Sequence, residues 1–194
     1  MKNLAKILLP LAFLTMPLAV SAQTPRPAYA KMGTVISQAH NSSIKSNFKT
    51  PMGYEIVLGK ELLPELVAEI STNQVFAKEL QESGYKQRIN LWGIGPNILW
   101  TPEFWGVGGL YFGGGIKYKI LKHVWNPGPD PTFGLARNDE SESVDGLGFS
   151  IKFGSEFGKK VKFYIETEYD RAEVKQDEDK IDIGVTKLSF GIKF

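Results

Sequence analysis

The sequence predicts an all-β fold: an eight-stranded antiparallel up-and-down transmembrane β-barrel. Three observations carry that expectation. Apolar residues recur at every second position in stretches such as "GLYFGGGIKYKI" and "LSFGIKF", and successive side chains of a strand point to opposite faces. The segments between these stretches are long and short by turns, as in a meander with tight turns at one end and loops at the other. The N-terminal stretch reads as an export leader, yet no later run approaches the ~18 apolar residues of a membrane helix. Helices and closed barrels are the structures that satisfy every backbone group in lipid, so a spanning chain of this kind must be a barrel.

The leader comes first. Lys2 and Lys6 form a positive region, Ile7 through Val20 an apolar one, and Val20-Ser21-Ala22 a small-residue cleavage site. Ala28-Tyr29-Ala30 also fits the cleavage pattern but lies far from the apolar run, so the cut is placed after Ala22. Residues 1–22 are read as signal peptide, 23–28 as a short lead and 29–194 as the barrel. Removing Lys2 and Lys6 takes the formal net charge of +2 to 2 − 2 = 0, and a neutral mature chain gives no reason to expect nucleic acid. The chain has no cysteine, so neither disulfides nor a lipoprotein cysteine at the cleavage site is expected.

Strands are expected at about 29–37, 52–59, 64–72, 88–100, 106–120, 146–157, 161–170 and 182–194. The stretch "ELLPELVAEISTNQVFAKELQES" is rich in helix formers, but Pro64 interrupts it and Leu66, Ala68 and Ile70 alternate with Glu65, Val67 and Glu69. Period outweighs propensity, and the stretch is read as strand then loop, with a short helical turn near 75–82. Pro96, between Gly93, Gly95 and Asn97, cannot donate a ladder hydrogen bond, so a bulge is expected there, with Trp92, Ile94, Ile98 and Trp100 facing out. Short connections fall near 60–63, 101–105 and 158–160; long ones near 38–51, 73–87, 121–145 and 171–181.

The apolar faces end in aromatics. Trp100, Phe104, Trp105, Phe157 and Phe194 fall at the short-turn end, Trp125 and Tyr169 near the long loops, as in the girdles that bracket a bilayer-spanning band. The competing reading is a soluble sandwich or lipocalin-like barrel with its core on that face. The opposite faces carry Glu55, Glu65, Glu69, Glu156, Glu166 and Glu168, with Lys117, Lys119, Lys152, Lys162, Lys187 and Lys193, six of each sign. An eight-stranded interior is just wide enough for side chains to fill, and unpaired buried charge is costly. The expected lumen is therefore a packed polar plug, with inward Gly113, Gly115, Gly148 and Gly154 giving large side chains room. Between the sixth and seventh strands a register sum of 318 would put Glu156 opposite Lys162, Lys152 opposite Glu166 and Gly154 beside Tyr164.

The stretch "NILWTPEFWGVGGLYFGGGIKY", Asn97 to Tyr118, resembles the central hairpin of the small bacterial outer-membrane barrels. That group includes the opacity-type surface proteins and the transmembrane domain of outer membrane protein A. The segment "LSFGIKF" resembles their C-terminal signature. The resemblance implies an outer-membrane location, with outer-membrane lipid and lipopolysaccharide around the wall. It also implies that Phe190, Ile192 and Phe194 are read by the outer-membrane assembly machinery.

Chemistry is sparse. His40 lies in "QAHNSSIK" beside Ser42 and Ser43, and His123 in "LKHVWN". Some barrel enzymes deacylate lipid A with a His-Ser-Glu set on the outer wall, but this spacing is not that of a strand-borne pair, and both are read as loop histidines. No enzyme activity, cofactor or metal site is expected. The acidic stretches "RNDESES" and "KQDEDKID" lack the glycine and spacing of an EF-hand loop; they are read as solvated tips. The favoured function is a surface protein, structural or adhesive through its long loops. Trp125, Phe133, Arg137, Asp139 and Glu140 are the candidate contacts to a host or matrix ligand. The alternative is a conduit for small hydrophobic molecules, which calls for an uncharged inner gallery; a lipid-modifying enzyme stands behind both.

Overall fold

The computed structural model describes residues 27–78, 87–102, 109–126, 139–176 and 179–194. The leader, and Phe104, Trp105, Phe133 and Arg137, lie outside them. The strands are β1 (Ala28–Ala39), β2 (Met52–Leu63), β3 (Leu66–Lys78), β4 (Gln87–Trp100), β5 (Leu110–Trp125), β6 (Glu140–Phe157), β7 (Lys162–Gln176), β8 (Asp179–Asp182) and β9 (Val185–Lys193). Each pairs antiparallel with its neighbours, and the pairings β1–β9 and β6–β7 close the ring. Both β8 and β9 run along β7, so they form one stave broken at Ile183-Gly184. The Asp182 carboxylate accepts the Gly184 N–H at 2.7 Å and turns the chain there. The result is a closed eight-staved barrel, as the alternation predicts.

The barrel is inside out relative to a soluble protein. On β6, Lys152 is 0% exposed while its neighbours Ile151 and Phe153 are 58% and 59% exposed. The same contrast recurs around the ring: Met32, Leu58, Ile98, Ile116, Phe149, Phe163 and Phe190 stand exposed on the outer wall. In water such a band would be a large aggregating patch; in lipid it is the solvated face. A soluble barrel with an apolar core is excluded by its charged interior.

Several expectations are corrected. The strands reach further toward the long-loop end than the sequence implies: β3 runs to Lys78, β5 to Trp125, β6 starts at Glu140 and β7 runs to Gln176. The helical turn near 75–82 is strand through Lys78, its remainder outside the described residues. "RNDESES" and "KQDEDKID" lie partly in β6, and in β7 and β8, and are not wholly loop. Above the lipid both faces meet water, so the apolar signal stops before the ladder does. At the other end β2 continues through Leu63 and the turn tightens to Pro64-Glu65, with a register shift between Glu61 and Leu63. No bulge forms at Pro96. Pairing with β5 lapses at Gly95-Pro96 and resumes at Asn97↔Gly115 in the register of Ile94↔Tyr118.

The β6–β7 register sum is 320, not 318: Lys152 faces Glu168, Gly154 faces Glu166 and Glu156 faces Tyr164. Parity is kept, so inward residues still oppose inward residues. The hairpin opens after Phe157↔Phe163 through Gly158, whose φ of 107° favours glycine. The ring over Gly154 is that of Tyr111, not Tyr164: a Cβ on Gly154 would lie 2.4 Å from Tyr111 Cζ. Tyr164 uses Gly33 instead, where a Cβ would lie 2.3 Å from its hydroxyl oxygen. Gly113 admits neighbouring backbone alone, and Gly115 and Gly148 admit backbone together with the small side chains of Asn97 and Ala172, not large ones. One short helix, α1 (Ser42–Asn47), lies unexpectedly in the first long connection. Its start is marked by Asn41, whose side-chain oxygen accepts the Ile44 N–H at 3.2 Å.

Candidate functional site

Period-two alternation aims one face of every stave into the lumen, and that face holds a layered charge network. Nearest the short turns, Lys31 Nζ lies 2.8 Å from Glu69 and 3.3 Å from Glu156, and 4.3 Å above the Tyr111 ring. Lys193 meets Glu156 at 2.7 Å, and the Tyr29 hydroxyl donates to Glu69 at 2.7 Å. In the middle, Lys152 sits among Glu166 at 2.8 Å, Glu69 at 3.5 Å and Glu168 at 3.6 Å. Tyr111 donates to Glu166 at 2.9 Å and Tyr164 to Glu55 at 3.2 Å. Ser71, Asn97 and Ser150 form a chain beside Lys117, which reaches Ser71 at 2.6 Å and Glu168 at 3.1 Å. Higher still, Lys187 bridges Glu168 at 3.0 Å and Asp170 at 3.3 Å, and Lys119 bonds Asp170.

Among the described residues the network still sets six lysines against six carboxylates, with two exchanges of identity. Lys162 is exposed at the β6–β7 turn, and Glu65 is exposed in the β2–β3 turn, accepting from Trp100 Nε1 at 2.9 Å. Their places are taken by Lys31 and Asp170, each 1% exposed. Parity along β7 finds Asp170, two positions beyond Glu168; Lys31 sits on the stave whose alternation is least regular. Glu55, Glu166 and Glu168 carry ligand atoms within 4.8 Å of one another. Lys117, Lys152 and Lys187 already answer two of the three with ammonium groups, so the cluster is part of the ion-pair network.

Above the charges the lumen turns apolar. Val35, Ala39, Val75, Leu91 and Val185 form a buried cluster, with Ile44 of α1 and Leu121 packed on it. Ala172 and Ile183 form a second, with Leu121, Val144 and Ile181. The first connection lies over this end: Phe48 meets the His123 ring edge-on at 5.9 Å, and the Lys49 N–H donates to Lys78 O at 2.8 Å.

Neither histidine is in a free loop. His123 is within β5 and shares a hydrogen bond with Gln87 at 2.9 Å. His40 follows β1, stacks on Tyr169 at 4.8 Å, and places Nε2 3.1 Å from Thr186 Oγ1. Asp182 lies 4.0 Å from its other nitrogen, beyond hydrogen-bond reach. The arrangement pins the connection to the outer wall.

Phe190, Ile192 and Phe194 are all on the outer face, 53%, 40% and 69% exposed. Trp125 is the last residue of β5, on the inward-facing phase, with its ring 5.2 Å from His123; it is not part of an outer girdle. Tyr54, Phe76 and Tyr169 hold the outward positions near that end. Asp139 accepts from Arg88 at 3.4 Å and Asn126 at 3.0 Å, and Glu140 opens β6 opposite Trp125.

The fold finds parallels among solved structures. The attachment invasion locus protein Ail of Yersinia pestis, in complex with the heparin analogue sucrose octasulfate, superposes with a TM-score of 0.58 at 16% identity, covering 88% of this chain and 100% of that one. The fold is that of the small outer-membrane β-barrels. A major outer membrane protein from Thermus thermophilus gives 0.58 at 11% identity, over 87% and 99% of the two chains. Neisserial surface protein A gives 0.53 at 13%, over 86% and 95%. No family model and no curated protein matches this sequence.

Proposed function

We propose that this outer-membrane barrel is a surface protein whose barrel is a filled anchor and whose function lies in its long connections, structural or adhesive. One observation carries the reading: the buried ion-pair network lies beneath an apolar cap, with Ile44 of the first connection packed into that cap. A lumen occupied in this way leaves the outer loops as the surface able to meet a partner. A conduit for hydrophobic molecules calls for an uncharged gallery, and this interior is lined by lysines and carboxylates. The adhesive form gains support from the fold shared with a protein named for attachment and solved with a heparin analogue, and loops on a rigid scaffold are where recognition usually resides. Outer-membrane lipid surrounds the wall, and β9 with the residue that follows it offers Phe190, Ile192 and Phe194 to the assembly machinery.

The test replaces the connection between β5 and β6, residues 127–138, with a short Gly-Ser linker. Cutting at 124–142 would remove strand residues. Closing a shorter loop costs little, so a heat-modifiable barrel is expected to persist. Whole-cell binding to host cells or matrix at matched surface abundance should fall. If binding survives this change together with replacement of 79–86, the adhesive reading fails and a structural role in the membrane stands.

A further inference from the structure

The first connection, residues 40–51, lines a groove of about 650 Å³ together with the loop-side ends of the staves β1 and β9. The floor changes character along its length. Ile36 and Leu188 are paired across β1 and β9, both outward, 37% and 43% exposed. The next outward pair toward the loops is Gln38 and Thr186. The wall thus passes from apolar to polar within two residues, or roughly 7 Å of strand, which marks the level where lipid gives way to headgroups. On the loop side the groove is bounded by Phe48 and two lysines, Lys45 and Lys49. Both lysines are exposed, and neither makes an ion pair among the described residues.

The connection is held in place before any ligand arrives. Ile44 is packed into the apolar cap. The Phe48 N–H donates to Ile44 O at 3.0 Å and the Lys49 N–H to Lys78 O at 2.8 Å. His40, stacked on Tyr169 and bonded to Thr186, closes the near end. A groove fixed in this way loses little freedom on binding.

We infer that this groove is a docking site for a phosphorylated lipid of the outer leaflet. An acyl chain lies along Ile36 and Leu188, and the lipid phosphate meets Lys45 and Lys49. Two ammonium groups with no ion-pair partner among the described residues, lining the same groove as an apolar floor, complement an amphiphile with anionic phosphate at its head and hydrocarbon below. They do not complement a neutral lipid, and a free phosphate would leave the trough unused. Lysines near an anionic membrane surface contribute additively. The inference rests on the reading of the chain as an outer-membrane barrel.

The experiment uses the refolded full barrel in mild detergent and native mass spectrometry, with diphosphorylated lipid A and phosphatidylcholine as probes. Heat-modifiable migration and insertion into phosphatidylcholine vesicles report on the barrel reading by themselves. Wild-type protein is expected to retain lipid A and not phosphatidylcholine. Lys45→Glu with Lys49→Glu should weaken retention by about thirtyfold. Lys159→Glu with Lys160→Glu, the same charge change at the opposite end, should leave it unaltered. Leu188→Ser, which keeps both lysines, should also weaken it. Equal retention by wild type and the Lys45/Lys49 variant in a properly folded barrel would overturn the site. Displacement of lipid A by inorganic phosphate at low concentration would overturn the assignment to a lipid.

Discussion

Lys117 on β5 reaches Glu168 on β7 across the stave that separates them, with Nζ 3.1 Å from Oε1. Lys187 holds the same carboxylate at 3.0 Å and Lys152 lies 3.6 Å away. Glu168 is therefore the hub that ties β5, β6, β7 and β9 through the lumen. Its replacement by Gln leaves buried ammonium groups short of a counter-charge, a class of change that costs about 3–5 kcal/mol. Urea titration of the barrel in vesicles should show Glu168→Gln losing more stability than Lys117→Met, because Glu168 serves three lysines. The double variant should lose less than the sum of the singles by about 0.5–3 kcal/mol. Strict additivity would mean that the two groups do not interact.

Gly154 and Tyr111 are paired across β6 and β5, and the ring occupies the space a side chain on Gly154 would need. Gly154→Val should destabilise the barrel by about 1–3 kcal/mol through overpacking. Tyr111→Ser, by vacating that space, should recover part of the loss when combined with it. Thermal unfolding followed by heat-modifiable migration reads the difference. Independent effects of the two substitutions would contradict the ring-over-glycine contact.

The barrel should not conduct. Small ions would have to pass the Val35, Val75 and Leu91 cap and then break ion pairs among side chains that are nearly all buried. Planar-bilayer recordings of the refolded protein are expected to stay at baseline. A stable, large step conductance would favour the conduit instead.

Phe190, Ile192 and Phe194 share the outer face of the last stave. Phe194→Asp should lower insertion in cells, where assembly machinery selects its clients. It should leave refolding into pure lipid vesicles nearly unchanged, because β1 and β7 still pair with β9. Normal cellular insertion would remove the assembly role assigned to these residues.

Alternation alone determined the architecture. Residues such as Ile151, Lys152 and Phe153 differ so sharply in polarity that a strand has one acceptable orientation, and a slip by one position would bury phenylalanine among lysines and put lysine into lipid. Eight staves, the identity of most inward charges and the outward set Phe190, Ile192 and Phe194 were legible for that reason. Tertiary structure decided what parity leaves free. A shift by two residues keeps every side chain on its face, so the sequence could not separate a register sum of 318 from 320. The choice fell to the packing of Tyr111 on Gly154 and to contacts that cross the lumen, such as Lys117 with Glu168. Strand ends beyond the membrane were hidden because both faces there are solvated. The groove beneath residues 40–51 was hidden too: Ile36 and Leu188 lie 152 positions apart in the sequence and become neighbours only when the ring closes between β1 and β9.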